Sequence, residues 1–149
     1  MRLQIIAIGK MKSGALKELF DDYSRRLTCS FLLRELESKT KGSAEEIKLD
    51  EQNLILDALP RDACVVLLDE RGEDLSSDAL AFVIKHAPHE NVVFVVGGAY
   101  GVTSLIRSKA HKIISFGRVT WPHMLVRVML MEQLYRSQQI LKNHPYHKR

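Results

Sequence analysis

The sequence predicts an α/β fold built on a parallel β-sheet that helices cover on both faces. Strand-like and helix-like segments alternate from one end of the 149-residue chain to the other. Three of the strand-like segments, residues 63–68, 92–96 and 112–116, are almost continuously apolar. Because strands of parallel sheets bury both faces, such runs favour a parallel arrangement. The length suits one domain, and we expect residues 1–149 to form it without an internal linker.

The first half of the chain supplies two strands and two helices to this fold. Apolar side chains recur at helical spacing in the first helix. The second helix begins with a capping box, in which Ser43 is followed three residues later by Glu46, and it must end before Pro60. The expected elements, in order, are a strand at 2–8, a helix at 13–27, a strand at 30–37 and a helix that begins at Ser43.

Shorter helices are expected between the three apolar strands, beginning at Ser76 or Ser77 and at Thr103. The last helix has Pro122 in its first turn, extends to about residue 141 and is apolar around nearly its whole circumference. Such a helix must be buried on every side, and the sheet covers only one of them. This favours a homodimer with its twofold axis near the helix. The alternative is a central helix inside one compact core.

Composition narrows the class of protein. With 46% hydrophobic residues, the chain is not intrinsically disordered. The two cysteines, Cys29 and Cys64, are too few and too far apart to form a zinc site. Cys64 lies in an apolar strand, where a buried thiol is expected. Without a recognisable signal peptide or membrane span, we expect a cytoplasmic protein. The net charge of +4 is compatible with a nucleic-acid partner but is weak evidence for one.

Three segments that follow the apolar strands are candidates for a binding site. In open parallel sheets, ligands bind beyond the carboxyl ends of the strands. Residues 67–72 are expected to be a strand end that turns into a glycine loop, although a surface turn with charged residues is the alternative. Residues 96–101 contain three glycines, which let a ligand approach the main chain, although a simple tight turn is the alternative. Residues 114–123 offer apolar side chains that can flank a flat ring.

The C-terminal segment 142–149, here called the tail, contains three cations, two histidines and no acid. Aromatic, imidazole and cationic side chains alternate in it, which suits stacking on bases and pairing with phosphates. Composition alone supports a solvated chain end equally well.

Together these motifs resemble those of one family. The chain contains Leu-Asp-Glu-Arg-Gly, then Gly-Gly-Ala-Tyr-Gly, then Thr-x-Pro-His followed by Leu-Val-Arg-Val-Met-Leu-x-Glu-Gln-Leu-Tyr-Arg, and a terminal Pro-Tyr-His-Lys. This combination is similar to the small H-type bacterial 23S ribosomal RNA pseudouridine-N3 methyltransferases of the SPOUT superfamily. The length and the first ten residues agree as well, so the resemblance covers the whole chain.

The resemblance implies a deep trefoil knot in about residues 64–149, a homodimer, and methyl transfer to N3 of a pseudouridine in 23S ribosomal RNA, on the assembled ribosome. It also implies S-adenosyl-L-methionine as the cofactor. Because the sulfonium methyl group of this cofactor is already electrophilic, we expect no metal. Two positions depart from the family pattern: Gly117 replaces a common serine, and Met124 a common glutamine. The cofactor contacts that the resemblance implies are Leu68, Gly97, Phe116, Gly117, Arg118, Val119, Thr120 and Trp121.

The substrate-side candidates lie in or near the tail. His147 is the first candidate to position or deprotonate the base, since imidazole titrates near neutral pH, with a pKa of about 6.5. Tyr146 is a candidate to stack or to hydrogen-bond. Arg136 lies one turn after Glu132, so a structural ion pair is the alternative for it. The candidates for RNA phosphates are Arg136, His144, Lys148 and Arg149.

Two other functions remain open. One is a SPOUT methyltransferase that acts on a transfer RNA, although the short chain has no room for a separate RNA-binding domain. The other is a non-catalytic α/β module that binds RNA or a nucleotide. Failure to bind S-adenosyl-L-methionine would favour the non-catalytic module.

Overall fold

Strands and helices alternate along residues 1–148, the part of the chain that a computed structural model describes. The strands are β1 (Arg2–Ile8), β2 (Ser30–Leu36), β3 (Ala63–Asp74), β4 (Asn91–Val96) and β5 (Lys112–Ser115). The helices are α1 (Ala15–Arg26), α2 (Ala44–Ala58), α3 (Ser77–Lys85), α4 (Ser104–Lys109) and α5 (His123–Leu141). The strands form one sheet in the order β2-β1-β4-β3-β5, and neighbouring strands are parallel. The predicted α/β class and parallel sheet are confirmed.

Helices cover both faces of this sheet, as the apolar runs predicted. On one face, Ile5 and Phe94 belong to a core that includes residues of α1, α3 and α5. On the other face, Ile6 and Val95 pack with residues of α2 and α4. All four side chains are fully buried, and successive residues of a strand point to opposite faces. The central strands are therefore apolar on both faces, so their sequences do not alternate between polar and apolar residues.

Side-chain caps fix where three helices begin. The hydroxyls of Ser43, Ser76 and Thr103 accept hydrogen bonds from the amide three residues later, at 3.2, 3.1 and 3.4 Å. Each bond satisfies one of the amides that a first helical turn leaves unpaired. Ser76, and not Ser77, is thus the cap of α3, while α2 ends before Pro60 as predicted.

The predicted glycine loop in segment 67–72 is a bulge within β3, and the strand does not end there as expected. β3 is one strand through this segment, but Leu68 and Glu73 both pair with Ile114 of β5, so residues 69–72 bulge out of the ladder between them. A Cβ on Gly72 would lie 2.5 Å from the carbonyl carbon of Ile114. Gly72 therefore allows the backbone that returns from the bulge to approach β5 closely.

The last helix begins one residue later than predicted, with Pro122 as its N-cap. Within one chain, α5 packs against α1 and α3, and Leu130 and Leu134 are fully buried. Much of α5 is therefore buried within its own chain, as the alternative of a central helix in one compact core predicted. Leu125 and Met129 stay half-buried, at a groove of about 520 Å³ lined by side chains from α1, α3 and α5. None of the helices in residues 1–148 is long and apolar enough to cross a membrane.

Candidate functional site

A pocket of about 330 Å³ lies at the carboxyl edge of the sheet, where β4 and β5 end and where β3 bulges after Leu68. Its volume falls within the range of small-molecule sites. The pocket brings together all three segments that the sequence indicated. Arg118 belongs to the third segment, but its side chain is exposed and does not line the pocket. The other seven predicted cofactor residues line it: Leu68, Gly97, Phe116, Gly117, Val119, Thr120 and Trp121.

The glycine turn 97–101 forms one wall of the pocket with its main chain. The amide of Gly101 donates to the carbonyl of Gly98 at 3.0 Å, and Gly101 has φ 78°, in the left-handed region that favours glycine. A Cβ on Gly97 would lie 2.7 Å from Cγ1 of Val102. A side chain at position 97 would therefore displace the turn from this wall.

The loop 116–121 also lines the pocket, and one side-chain hydrogen bond closes the loop while another joins it to β3. Nε1 of Trp121 donates to the carbonyl of Phe116 at 3.0 Å, and Oγ1 of Thr120 donates to Glu70 at 3.2 Å. Gly117 has φ 95°, so glycine suits this backbone better than the serine common in the family. The departure at position 117 is thus compatible with the loop.

An ion pair that the sequence did not indicate joins α4 to β3 beside the pocket. Arg107 donates to Oδ2 of Asp69 through both Nε and Nη2, at 3.2 and 2.8 Å. Burial alone would raise the pKa of Asp69, but hydrogen bonds from the Arg71 amide and the Arg107 guanidinium lower it below its ordinary value. Asp69 is therefore a fixed negative charge whose partner holds α4 in place.

Helix α2 supplies two further residues that sequence reasoning missed. Lys48 lines the pocket, and Glu51 lies behind the glycine turn, where a Cβ on Gly98 would be 2.7 Å from each carboxyl oxygen. Glu51 is only 7% exposed, and its Oε2 has no hydrogen-bond partner among the described residues. Burial, with a smaller contribution from Asp50, raises the pKa of Glu51. The turn therefore rests on a buried carboxyl group whose pKa is raised above its ordinary value.

Arg127 and His123, one turn apart on α5, have separate surroundings. His123 lines the pocket. Arg127 is fully buried and donates to Oε2 of Glu35 at 2.7 Å and to the carbonyls of Ile8 and Gly9 at 2.6 and 2.7 Å. Burial lowers the pKa of Arg127, and Glu35 opposes this shift. The arginine ties α5 to the ends of β1 and β2.

The tail folds back onto the helices of its own chain. The Tyr146 hydroxyl donates to Oε1 of Glu132 at 3.0 Å, and Arg136 donates to the same oxygen at 2.9 and 2.6 Å. The Arg136 guanidinium also lies 4.9 Å from the centre of the Tyr146 ring. His147 contacts Arg136 through Nδ1 and Asp78 through Nε2, each at 3.3 Å. Three predicted substrate residues are thus brought together, and the alternative Glu132–Arg136 ion pair is present.

This cluster does not belong to the pocket of the same chain, since no tail residue among those described lines that pocket. Burial, with the neighbouring Tyr23 and Glu132, raises the pKa of Tyr146, so its hydroxyl stays protonated. His144 and Lys148 are exposed, and Arg149 lies outside the described residues.

A parallel sheet with a pocket at its carboxyl edge, beside a glycine turn, is typical of α/β proteins that bind small molecules. A family model described as "Predicted SPOUT methyltransferase" matches residues 1–147, and the chain belongs to this family. The resemblance inferred from the motifs is thereby confirmed.

Curated relatives match along the whole chain. It is 43% identical to the ribosomal RNA large subunit methyltransferase H of Rhodospirillum centenum and 44% identical to that of Paramagnetospirillum magneticum, with 99% of both chains covered in each case. The crystal structure of the SpoU methyltransferase AviRb from Streptomyces viridochromogenes, in complex with AdoMet, matches with a TM-score of 0.51 and 10% identity. That match covers 93% of this chain and 61% of the AviRb chain, less than two thirds, and shows a shared fold.

Proposed function

We propose that this protein transfers the methyl group of S-adenosyl-L-methionine to N3 of a pseudouridine in 23S ribosomal RNA. One observation carries the proposal: three separated family motifs converge on one pocket, and seven of the eight predicted cofactor residues line it. The full-length relatives named as ribosomal RNA large subunit methyltransferases support the choice of substrate. A transfer RNA substrate and a non-catalytic module are less well supported, because the matched relatives are ribosomal RNA enzymes.

The residues of the pocket fit this cofactor. Leu68, Phe116 and Val126 provide apolar surface for a purine ring, and the main chain of 97–101 and 116–121 provides amides and carbonyls for its polar edge. When bound, S-adenosyl-L-methionine supplies a methyl group on a positively charged sulfur, which is electrophilic without a metal. The seven lining residues, with Arg118 at the rim, are our proposed cofactor contacts.

The substrate nitrogen must lose its proton before its lone pair can attack, so a base or a stabilising cation is needed. Tyr146 is unsuited to be that base, because its raised pKa keeps it protonated. We assign it stacking or hydrogen bonding, and we assign His147 the positioning or deprotonation of the base. Arg136, with His144, Lys148 and Arg149, is proposed to contact phosphates. Since Glu132 already neutralises Arg136, a phosphate must compete with this carboxylate.

A homodimer would bring the two halves of the site together. The tail lies outside its own pocket, while the groove at Leu125 and Met129 offers an apolar surface that a second copy can cover. Phe116 lines both the pocket and the groove, so a partner seated there would lie next to the cofactor. We propose that each tail serves the pocket of the partner subunit.

The remaining parts of the proposal follow from the family. They are a single methyltransferase domain over residues 1–149, a trefoil knot in about residues 64–149, and action in the cytoplasm on the assembled ribosome. A net charge of only +4 supports the last point, because so small a charge gives weak attraction to bare RNA.

The test combines binding with product mapping. Calorimetry with S-adenosyl-L-methionine should give one site per chain. Ribosomes from a strain that lacks the protein should accept a methyl group at a single pseudouridine of 23S RNA, and a free 23S transcript should serve as a poorer substrate. No cofactor binding would favour the non-catalytic module, and methylation of transfer RNA instead of ribosomes would favour the other enzyme class.

A further inference from the structure

Asp78, in the first turn of α3, lies against the imidazole of His147. Oδ2 of Asp78 is 3.3 Å from Nε2, and the side chains of His147 and Asp78 are 17% and 45% exposed. The two residues are 69 positions apart in the chain. On the other edge of the ring, Nδ1 is 3.3 Å from Nη1 of Arg136.

The two contacts together determine which ring nitrogen carries the proton. A guanidinium has only donors, so Nδ1 must accept the hydrogen bond from Arg136 and has no proton. A carboxylate has only acceptors, so Nε2 must carry the proton and donate it to Asp78. A doubly protonated ring would direct an N–H at the Arg136 cation. Both contacts are satisfied together only by the neutral ring with hydrogen on Nε2.

We infer that Asp78 is a positioning residue for His147. It holds the imidazole in the Nε2–H tautomer and leaves Nδ1 as the atom that can accept a proton. The tautomer is inferred from these contacts alone, whereas its use in methyl transfer rests on the proposed function.

This arrangement specifies which atom of His147 receives the proton of the substrate. A phosphate that draws Arg136 away uncovers the Nδ1 lone pair, which then accepts the N3 proton of the pseudouridine. The freed lone pair on N3 forms the new N–C bond, while the methyl–sulfur bond breaks and its electrons remain on sulfur. His147 becomes cationic beside the Asp78 carboxylate, which stabilises the imidazolium and keeps the ring in place.

The tautomer can be measured in the full-length protein without any substrate. Long-range ¹H–¹⁵N spectra of histidine-labelled protein distinguish Nε2–H from Nδ1–H rings, and a His147→Gln sample identifies the signals of His147. We expect the Nε2–H form in the wild type and in Asp78→Asn, whose side-chain carbonyl can still accept. Because Arg136 still donates to Nδ1, Asp78→Ala alone should keep the Nε2–H form, whereas Asp78→Ala combined with Arg136→Met removes both contacts and should give a mixture of tautomers. Glu45→Ala, which removes another first-turn carboxylate, is the matched control.

Kinetics on ribosomes test the role in catalysis. Asp78→Ala should lower kcat by roughly 10-fold or more, with cofactor affinity and KM for ribosomes nearly unchanged. Asp78→Asn should be intermediate, because it keeps the hydrogen-bond acceptor but loses the charge. An Nδ1–H ring in the wild type, or an Asp78→Ala variant with unchanged kcat, would overturn the inference. A wild type that holds the Nε2–H ring but methylates no ribosomes would instead contradict the proposed function and leave the Asp78 contact established.

Discussion

Arg107 and Asp69 lie on different elements and form an ion pair beside the pocket, with two guanidinium nitrogens donating to one carboxylate oxygen. Arg107 also donates to the carbonyl of Val102 at 3.0 Å, next to the glycine turn. Because the Asp69 side chain is only 9% exposed, loss of its partner would leave a charge poorly solvated. The pair therefore couples the position of the turn to the end of β3.

We expect Arg107→Met to lower the free energy of unfolding at pH 7 by about 1–3 kcal/mol. The pKa of Asp69 is lowered in the folded protein, so the stability it provides is present above the ordinary aspartate pKa and is lost as the pH falls through the lowered value. Denaturant unfolding from pH 7 to pH 2 should show a smaller loss in Arg107→Met than in the wild type. Lys109→Met, an exposed cation on the same helix, is the control.

Glu51 should show the opposite dependence on pH. Its pKa is raised in the folded protein, so the folded state binds a proton more tightly and stability decreases as the pH rises toward the raised value. Glu51→Gln has nearly the same shape without the charge. It should be more stable than the wild type at pH 8 by about 1 kcal/mol and should lose that advantage at low pH.

Glu45→Gln removes an exposed carboxylate from the same helix and should change little at either pH. Thermal or denaturant unfolding at pH 4 and pH 8 measures both variants. A Glu51→Gln protein that is less stable than the wild type at pH 8 would show that the ionised carboxylate is satisfied in the folded state.

The role of the glycine turn in cofactor binding can be tested by a substitution at Gly97. A valine there would place Cβ 2.7 Å from Cγ1 of Val102, so the turn must move away from the pocket wall. We expect Gly97→Val to abolish binding of S-adenosyl-L-methionine in calorimetry, with far-UV circular dichroism largely intact. Gly42→Val, where Cβ meets only the flexible side chain of Glu46, should bind normally. Unchanged affinity in Gly97→Val would show that the segment is only a turn.

Local sequence signals predicted the elements, and long-range contacts explain what they missed. Caps such as Ser43 and apolar runs depend on a few adjacent residues, so they can be read from the chain. Gly72 was misinterpreted because its role depends on Ile114, on a strand that pairs with it in space. The sequence alone does not distinguish a glycine that permits a turn from one that permits close strands.

The same reasoning applies to the site. Family motifs indicated the pocket loops, since these are continuous segments. Arg127 and Glu35 are 92 positions apart, and Asp69 and Arg107 are 38 apart, so no spacing rule pairs them. Their partners are determined by how the strands are ordered in the sheet.

The dimer prediction is best tested at Leu125, because it is half-buried at the groove. Val128 is only 4% exposed within one chain, so an aspartate there would unfold the subunit and test nothing about assembly. Sedimentation at micromolar concentration should show a dimeric wild type and a folded, mainly monomeric Leu125→Asp protein. Leu32→Asp, on the edge strand β2 and 48% exposed, should remain dimeric. A monomeric wild type would contradict the dimer.

The last prediction concerns the tail, which in this structure is anchored to α5 and α3 of its own chain and not to its own pocket. Deletion of residues 144–149 should leave the fold and cofactor affinity nearly unchanged, because the tail adds little to the core. Methylation of ribosomes should nevertheless fall to a small fraction of the wild-type rate, since the proposed substrate contacts are removed.

Mixed dimers then decide which pocket the tail serves. A tail-deleted chain has an intact pocket but no tail, and a Gly97→Val chain has a tail but no working pocket. If the site is shared between subunits, each heterodimer contains one complete site, so mixing two inactive proteins should restore activity. If the tail acts within its own chain, neither subunit is complete and the mixture stays inactive. Differently tagged chains purified through both tags make the heterodimer content measurable, so an inactive but fully formed heterodimer would exclude the shared site.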